Sequence, residues 1–182
     1  QFYPHWTLAL LTGMRSGELY SLRWSDVDLV SGKITISKAW TRHNGEGPTK
    51  TAKNRIYPIS SQCRKFLEEL KAKSETNSDF VLPHMWEWQQ GEQAKILKSF
   101  CEEIGITPVK FHDLRATFIT QMLNNGVPLS KVMAIVGHSS LKTTQGYLRL
   151  SGKDIEGATE ELRIEIPQDE VAYDNVVSLV RR

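Results

Sequence analysis

Thiols are scarce in this chain. Its 182 residues hold two cysteines, Cys63 and Cys101, with no metal-ligand spacing around either. A disulfide framework and a thiolate metal site are therefore excluded, and isolated thiols suit a reducing, cytoplasmic setting. Long apolar runs are missing as well: none approaches the ~20 residues a membrane span requires, so no membrane partner is expected. Repeats and low-complexity segments are absent, which removes solenoid and disordered classes. The opening stretch QFYPHWTLALLTG lacks the basic flank and the small-residue cleavage site of a signal peptide. It also lacks an initiator methionine and enters helical-looking sequence at once, so a fragment of a longer protein is expected.

What is present begins with charge. The formal net charge is only +2, but it is unevenly spread. Residues 1–150 carry 19 Lys and Arg against 13 Asp and Glu, whereas residues 151–182 carry 4 against 8. A basic body with an acidic tail fits a polyanion-binding surface that the tail avoids. At this length one domain with a proper core is expected, and two ample ones are not.

Periodicity supplies the elements. Residues 2–12 predict a buried helix through Phe2, Trp6, Leu8, Leu10 and Leu11, stopped by Gly13. MRSGELYSLRWSDVD predicts a short helix with Leu19 and Leu22 inward, ending near a turn at Asp26 and Asp28. GKITISKAW alternates as a strand, and NRIYPIS is a second one after the polar connection TRHNGEGPTKTAK; together they make a long-looped antiparallel hairpin. Ser60 or Ser61 can cap a helix through KFLEELK, and FVLP fits a short extended piece. Further helices are expected near 90–104, over FHDLRATFITQMLNNG, over PLSKVMAIVG and over SSLKTTQGYL, the last capped by Ser139 or Ser140. In the tail, LRIEI predicts a strand and DEVAYDNVVSLVRR a helix. The fold class is α+β, mainly helical, with a small antiparallel sheet near the N-terminal side.

Several polar residues are left over. Arg15 can be a surface arginine paired with Glu18. His112 and Arg115, at i and i+3 of one helix, head a side continued by Ile119 and Met122. Two polar groups there cannot both be buried without a partner. Either the arginine pairs with Asp113 or Glu18, or it forms a bidentate anion clamp with the histidine as a donor beside it. His138 suits a packing or capping residue at a helix corner, and Tyr147 a half-buried core residue. Gly146 costs ~1 kcal/mol of helix propensity, a sign of mobility or close approach. Lys50 and Lys53 fit solvated loop lysines. Singly, each has an ordinary explanation; together they have a common one.

The segments LLTGMRSGELYSLRWSDVD, TKTAKNRIYPIS and FHDLRATFITQMLNNGVPLSKVMAIVGHSSLKTTQGY, in that order, resemble the catalytic domain of tyrosine recombinases, the phage integrase family, over about residues 6–150. The resemblance implies that catalytic-domain fold over residues 1–150, with the family's N-terminal DNA-clamping domain missing. It implies a catalytic set: Arg15 from the TGxRxxE pattern, His112 and Arg115 from HxxR, His138 from the GH pair, and the nucleophile Tyr147 nine residues later. The family lysine lies eight residues before the proline of the second strand, and counting back from Pro58 selects Lys50 rather than Lys53. The connection between the strands is longer than in compact members.

The activity implied is site-specific recombination or integration for a phage or other mobile genetic element. Strands are cleaved and rejoined through a 3′-phosphotyrosine with a free 5′-hydroxyl, with no ATP, metal or other cofactor. Implied partners are double-stranded DNA at recombination sites, further copies of the chain in a tetramer on DNA, and accessory DNA-bending or directionality proteins. The implied setting is the bacterial cytoplasm, at the nucleoid when DNA is bound. Residues 151–182 match no family motif and are expected to dock in cis or in trans. A non-catalytic DNA-binding relative needs no such complete set at active spacing. A type IB topoisomerase uses a similar set, but the GH pair and the short elements favour the recombinase.

Overall fold

A computed structural model of the chain describes residues 2–49, 54–74, 78–83, 88 and 90–150, with backbone alone at 148–150. The expectations for Lys50, for Lys53 and for the tail strand and helix fall outside the described residues.

Helix α1, Tyr3–Thr12, has a proline in its first turn and buries Leu8 and Ala9. Helix α2, Ser16–Tyr20, starts where the Arg15 N–H donates to Glu18 Oε2 at 2.8 Å, and it buries Leu19 and Tyr20. A 3₁₀ turn, Trp24–Asp26, leads into the sheet. Strand β2, Lys33–Ile36, is central, with β1, Val27–Asp28, on one side and β5, Arg55–Pro58, on the other, all antiparallel. Pleating sends Ile34, Ile36 and Tyr57 into the core and leaves Lys33, Thr35 and Ile56 outside. The Tyr57 hydroxyl donates to the Leu11 carbonyl at 2.7 Å, which pins α1 against β5.

The expected long strand is broken at Ser37. Strand β3, Lys38–Thr41, turns away and pairs with β4, Gly45–Pro48, in a separate two-stranded sheet. The polar connection therefore carries a hairpin of its own, turned through Arg42, His43 and Asn44 and followed by Gly45 at a left-handed φ of 66°, a three-residue loop that needs a glycine at that place. Trp40 packs on Tyr20, with ring centroids 5.0 Å apart, instead of extending the β2 face. Gly17 permits this docking, because a Cβ there would lie 2.3 Å from the Trp40 carbonyl oxygen.

The remaining described helices are α3, Ser61–Lys73, α4, Gln93–Glu103, α5, Phe111–Asn124, α6, Leu129–Val136, and α7, Leu141–Leu150. Ser60 caps α3, its hydroxyl accepting from the Cys63 N–H at 3.2 Å. At the start of α5, Asp113 accepts from the Lys110 N–H at 2.8 Å and is thereby occupied. The main core joins α1, α2, β2, β5, α3, α4 and the first turn of α5. A smaller cluster of Ile119, Leu123, Val132 and Val136 supports α6 and α7, and Tyr147 packs against it. No described helix is long and apolar enough to cross a membrane.

Candidate active site

Arg115 is the most deeply placed of the predicted residues, only 2% exposed. One guanidinium nitrogen donates to the Gly13 carbonyl, and Nη2 donates to the Val136 carbonyl at 2.6 Å. Its hydrogen-bond partners are thus carbonyls, not the Asp113 or Glu18 suggested by local pairing. Asp113 caps its own helix, and Glu18 is taken by other arginines. These carbonyl dipoles engage the two terminal nitrogens without neutralising the charge, and the buried Nε has no hydrogen-bond partner among the described residues. Burial, with Arg15 close by, pushes the Arg115 pKa down to about 10, which still leaves it cationic at neutral pH.

Arg15 pairs with Glu18 as its spacing suggests, Nη1 to Oε1 at 3.0 Å, and also reaches across the fold to the Gly137 carbonyl at 3.3 Å. Its side chain is 32% exposed, so one edge faces outward. Successive carbonyls at the C-terminal end of α6 therefore receive one arginine each, where the helix dipole favours positive charge. Arg15, His112 and Arg115 line a cleft of about 220 Å³ with Met14, Ser16 and Phe111. His112 is exposed at its rim, whereas Arg115 is buried, so only one of the pair had to find buried partners.

His138 follows Gly137, whose left-handed φ of 69° turns the chain out of α6. Its Nδ1 lies 2.9 Å from the hydroxyl of the buried Thr144 in α7. Its ring stacks on that of Tyr147, centroids 6.2 Å apart and planes at 19°. Tyr147 is half-buried and close enough to Arg115 to act on its charge. No described atom lies within 4 Å of a Cβ built at Gly146, so close approach is not what this glycine serves here. The structure thus brings Arg15, His112, Arg115, His138 and Tyr147 to one end of the fold, and Lys50 lies outside the described residues. A larger cleft of about 510 Å³, lined by Leu10, Phe118, Met122 and Ile135, contains none of them. Convergent charge, not volume, distinguishes the site.

Two members were not anticipated. Arg55 holds both Glu18 oxygens, at 2.8 and 2.7 Å, and donates from Nε to the Ile135 carbonyl at 3.0 Å. The only available signal was its phase with Tyr57 on the inward side of β5. Thr144 lies within the expected helix over SSLKTTQGYL, and nothing in its spacing marks it. Burial alone would raise the Glu18 pKa, but the hydrogen bond and charge of Arg55, followed by Arg15, hold it below its usual value.

Burial, then the positive charges of Arg115 and Arg15, lowers the His138 pKa from 6.5 to about 4. The unfolded chain therefore takes up this proton first on acidification. Stability that is complete above about pH 6.5 is lost as pH falls toward about 4. The His138 ring proton resonance is expected to titrate near pH 4, and His138→Gln to flatten the acid limb of stability measured by urea unfolding. A midpoint near 6.5 would show that neither burial nor the arginines act on this ring.

Comparison with known proteins places this geometry. A family model described as the phage integrase family matches residues 5–153. The ICEBs1 integrase of Bacillus subtilis (strain 168) is 28% identical over 158 residues, covering 79% of this chain and 43% of that protein. The tyrosine recombinase XerC of Staphylococcus aureus (strain USA300 / TCH1516) is 28% identical over 155 residues, covering 81% and 48%. The chain thus spans about half the length of these curated relatives. Among solved structures, the XerA recombinase superposes with a TM-score of 0.63 at 27% identity, over 91% of this chain and 59% of that one. The Tn1549 transposon integrase, in complex with a circular intermediate DNA, does so at 0.68 and 21%, over 80% and 53%.

Proposed function

The chain belongs to the phage integrase family, and from that premise we propose that it is the catalytic part of a site-specific DNA recombinase or integrase. The supporting observation is the convergence of Arg15 and Arg115, brought from α2 and α5, on the end of α6 beside His138 and Tyr147.

A phosphodiester repels nucleophiles with its negative charge and gathers more charge in the transition state. Arg15 and Arg115 would hold its non-bridging oxygens, and removing one such preorganised donor typically costs ~10²–10³ in rate. Tyr147 Oη attacks phosphorus, a P–O bond to tyrosine forms, and the bond to the 5′ oxygen breaks. The phenol proton passes to His112. Lys50 protonates the departing 5′ oxygen. His138 is neutral at physiological pH, so with Thr144 donating to Nδ1 its remaining ring N–H is free for a non-bridging oxygen. One phosphate ester is exchanged for another, so bond energy is conserved and rejoining by the reverse steps calls for no ATP, metal or other cofactor.

The same proposal takes residues 1–150 as the catalytic unit and residues 151–182 as a tail that docks on its own copy or a neighbour. It places the protein in the bacterial cytoplasm, as a tetramer on paired DNA sites with accessory DNA-bending or directionality proteins. The direct test is a nicked suicide substrate built from DNA flanking the gene, incubated with the full-length protein. A covalent 3′ adduct is expected, and sedimentation of the trapped complex should show four copies. Binding without any adduct would leave a non-catalytic DNA binder, and supercoil relaxation without exchange between sites a topoisomerase.

Lys50→Ala is expected to slow cleavage, and a substrate with a bridging 5′ sulfur, which leaves without a proton, to restore it. Lys53→Ala should leave both rates intact. If only Lys53→Ala stops cleavage, the leaving-group acid is Lys53.

A further inference from the structure

Arg55 points inward from β5, paired with Ile36 across the sheet, and its side chain is only 10% exposed. All three of its guanidinium nitrogens are engaged. Both terminal nitrogens hold the Glu18 carboxylate, and Nε holds the Ile135 carbonyl in the last turn of α6. Glu18 in turn accepts Nη1 and the backbone N–H of Arg15. Gly137 lies directly against the same side chain, since a Cβ there would sit 3.0 Å from Arg55 Cδ. A single residue therefore ties β5 to α2 and to the corner bearing His138. An ammonium group cannot reproduce this planar, three-point geometry.

We propose that Arg55 is a positioning residue for the site: it orients the Glu18 carboxylate that aims Arg15, and it holds the end of α6 from which the carbonyl partners of Arg15 and Arg115, and His138 itself, are presented. It acts through Glu18 and Ile135, not on DNA. For its effect on rate, this rests on the recombinase function proposed above.

Arg55→Lys in the full-length protein tests it twice. The His138 amide, bonded to the Met133 carbonyl at 3.0 Å, is expected to exchange with deuterium at least ~10-fold faster, with core amides of α1 unchanged. Single-turnover adduct formation at saturating DNA should slow by ~10²-fold while DNA affinity stays within ~2-fold, because misplacing reacting groups by about an ångström costs that much. Glu18→Gln, which keeps the shape and removes the charge, should reproduce the slow rate. A role confined to stability would lower the melting temperature and leave the saturated rate intact, and that result overturns the proposal. So does unchanged protection at His138. If the wild-type protein forms no adduct, the recombinase function falls, and hydrogen exchange still decides on Arg55.

Discussion

Replacing Tyr147 with phenylalanine is expected to abolish the covalent protein–DNA adduct while leaving DNA binding nearly unchanged. The substitution removes one oxygen and nothing else. The ring keeps its seat on the cluster of Ile119, Leu123, Val132 and Val136 and its stack on His138. A half-buried position of this kind costs little when a hydroxyl is deleted, within ~0.5 kcal/mol. The loss in cleavage should be on the order of 10⁶, the scale seen when an enzyme loses its covalent nucleophile. Denaturing gels of the suicide substrate read the adduct, and electrophoretic mobility shift reads binding. Robust adduct from this variant would remove Tyr147 from the mechanism.

The second large effect is expected at Arg115, where rate and stability should fall together. Arg115→Lys leaves an ammonium that cannot span the Gly13 and Val136 carbonyls as the guanidinium does. A buried acceptor stripped of its donor costs ~1–3 kcal/mol, so the urea midpoint should drop measurably. On the proposed function cleavage should fall by ~10²–10³, since the fixed positive group that would hold the phosphate is displaced. Arg15→Lys provides the contrast. Its side chain is 32% exposed and its carbonyl contact is longer, so a comparable loss of rate is expected with a much smaller change in midpoint. If Arg115→Lys is destabilised yet cleaves at the wild-type rate, its role is confined to joining Gly13 to Val136.

The helices were legible because each carries its own punctuation. Ser60 opens α3 through its hydroxyl, and Asn125-Gly126 closes α5 and Gly137 closes α6 through the backbone, all by local chemistry. The β3–β4 hairpin was hidden because GEGP has no apolar alternation; Trp40 buries against Tyr20, a contact that only the docking of α2 creates. The resemblance to the family named Arg15, His112, Arg115, His138 and Tyr147, and the fold gathers them at one end. What it could not supply was their bonding. Arg115 had Asp113 two residues away and Glu18 as candidate carboxylates, and hydrogen-bonds to neither. Arg55 lies 37 residues from Glu18, beyond any helical or strand spacing that would suggest a pair. Long-range ion pairs leave no periodic trace, and for that reason the three-way junction around Glu18 emerged only in three dimensions.

That junction has an energetic consequence for the chain as a whole. Arg15 and Arg55 hold one carboxylate, that of Glu18, and Arg15, Arg55 and Arg115 each also donate to neutral carbonyls. Burial first, and the neighbouring arginines after it, hold the pKa values of Arg115 and His138 below their usual range, so the folded chain alone carries this positive charge at a cost. A ligand that brings negative charge to this end raises the stability of the fold by mass action, by ~2.7 kcal/mol at a hundred times its dissociation constant. Recognition of such a ligand and folding would in this sense be one linked equilibrium.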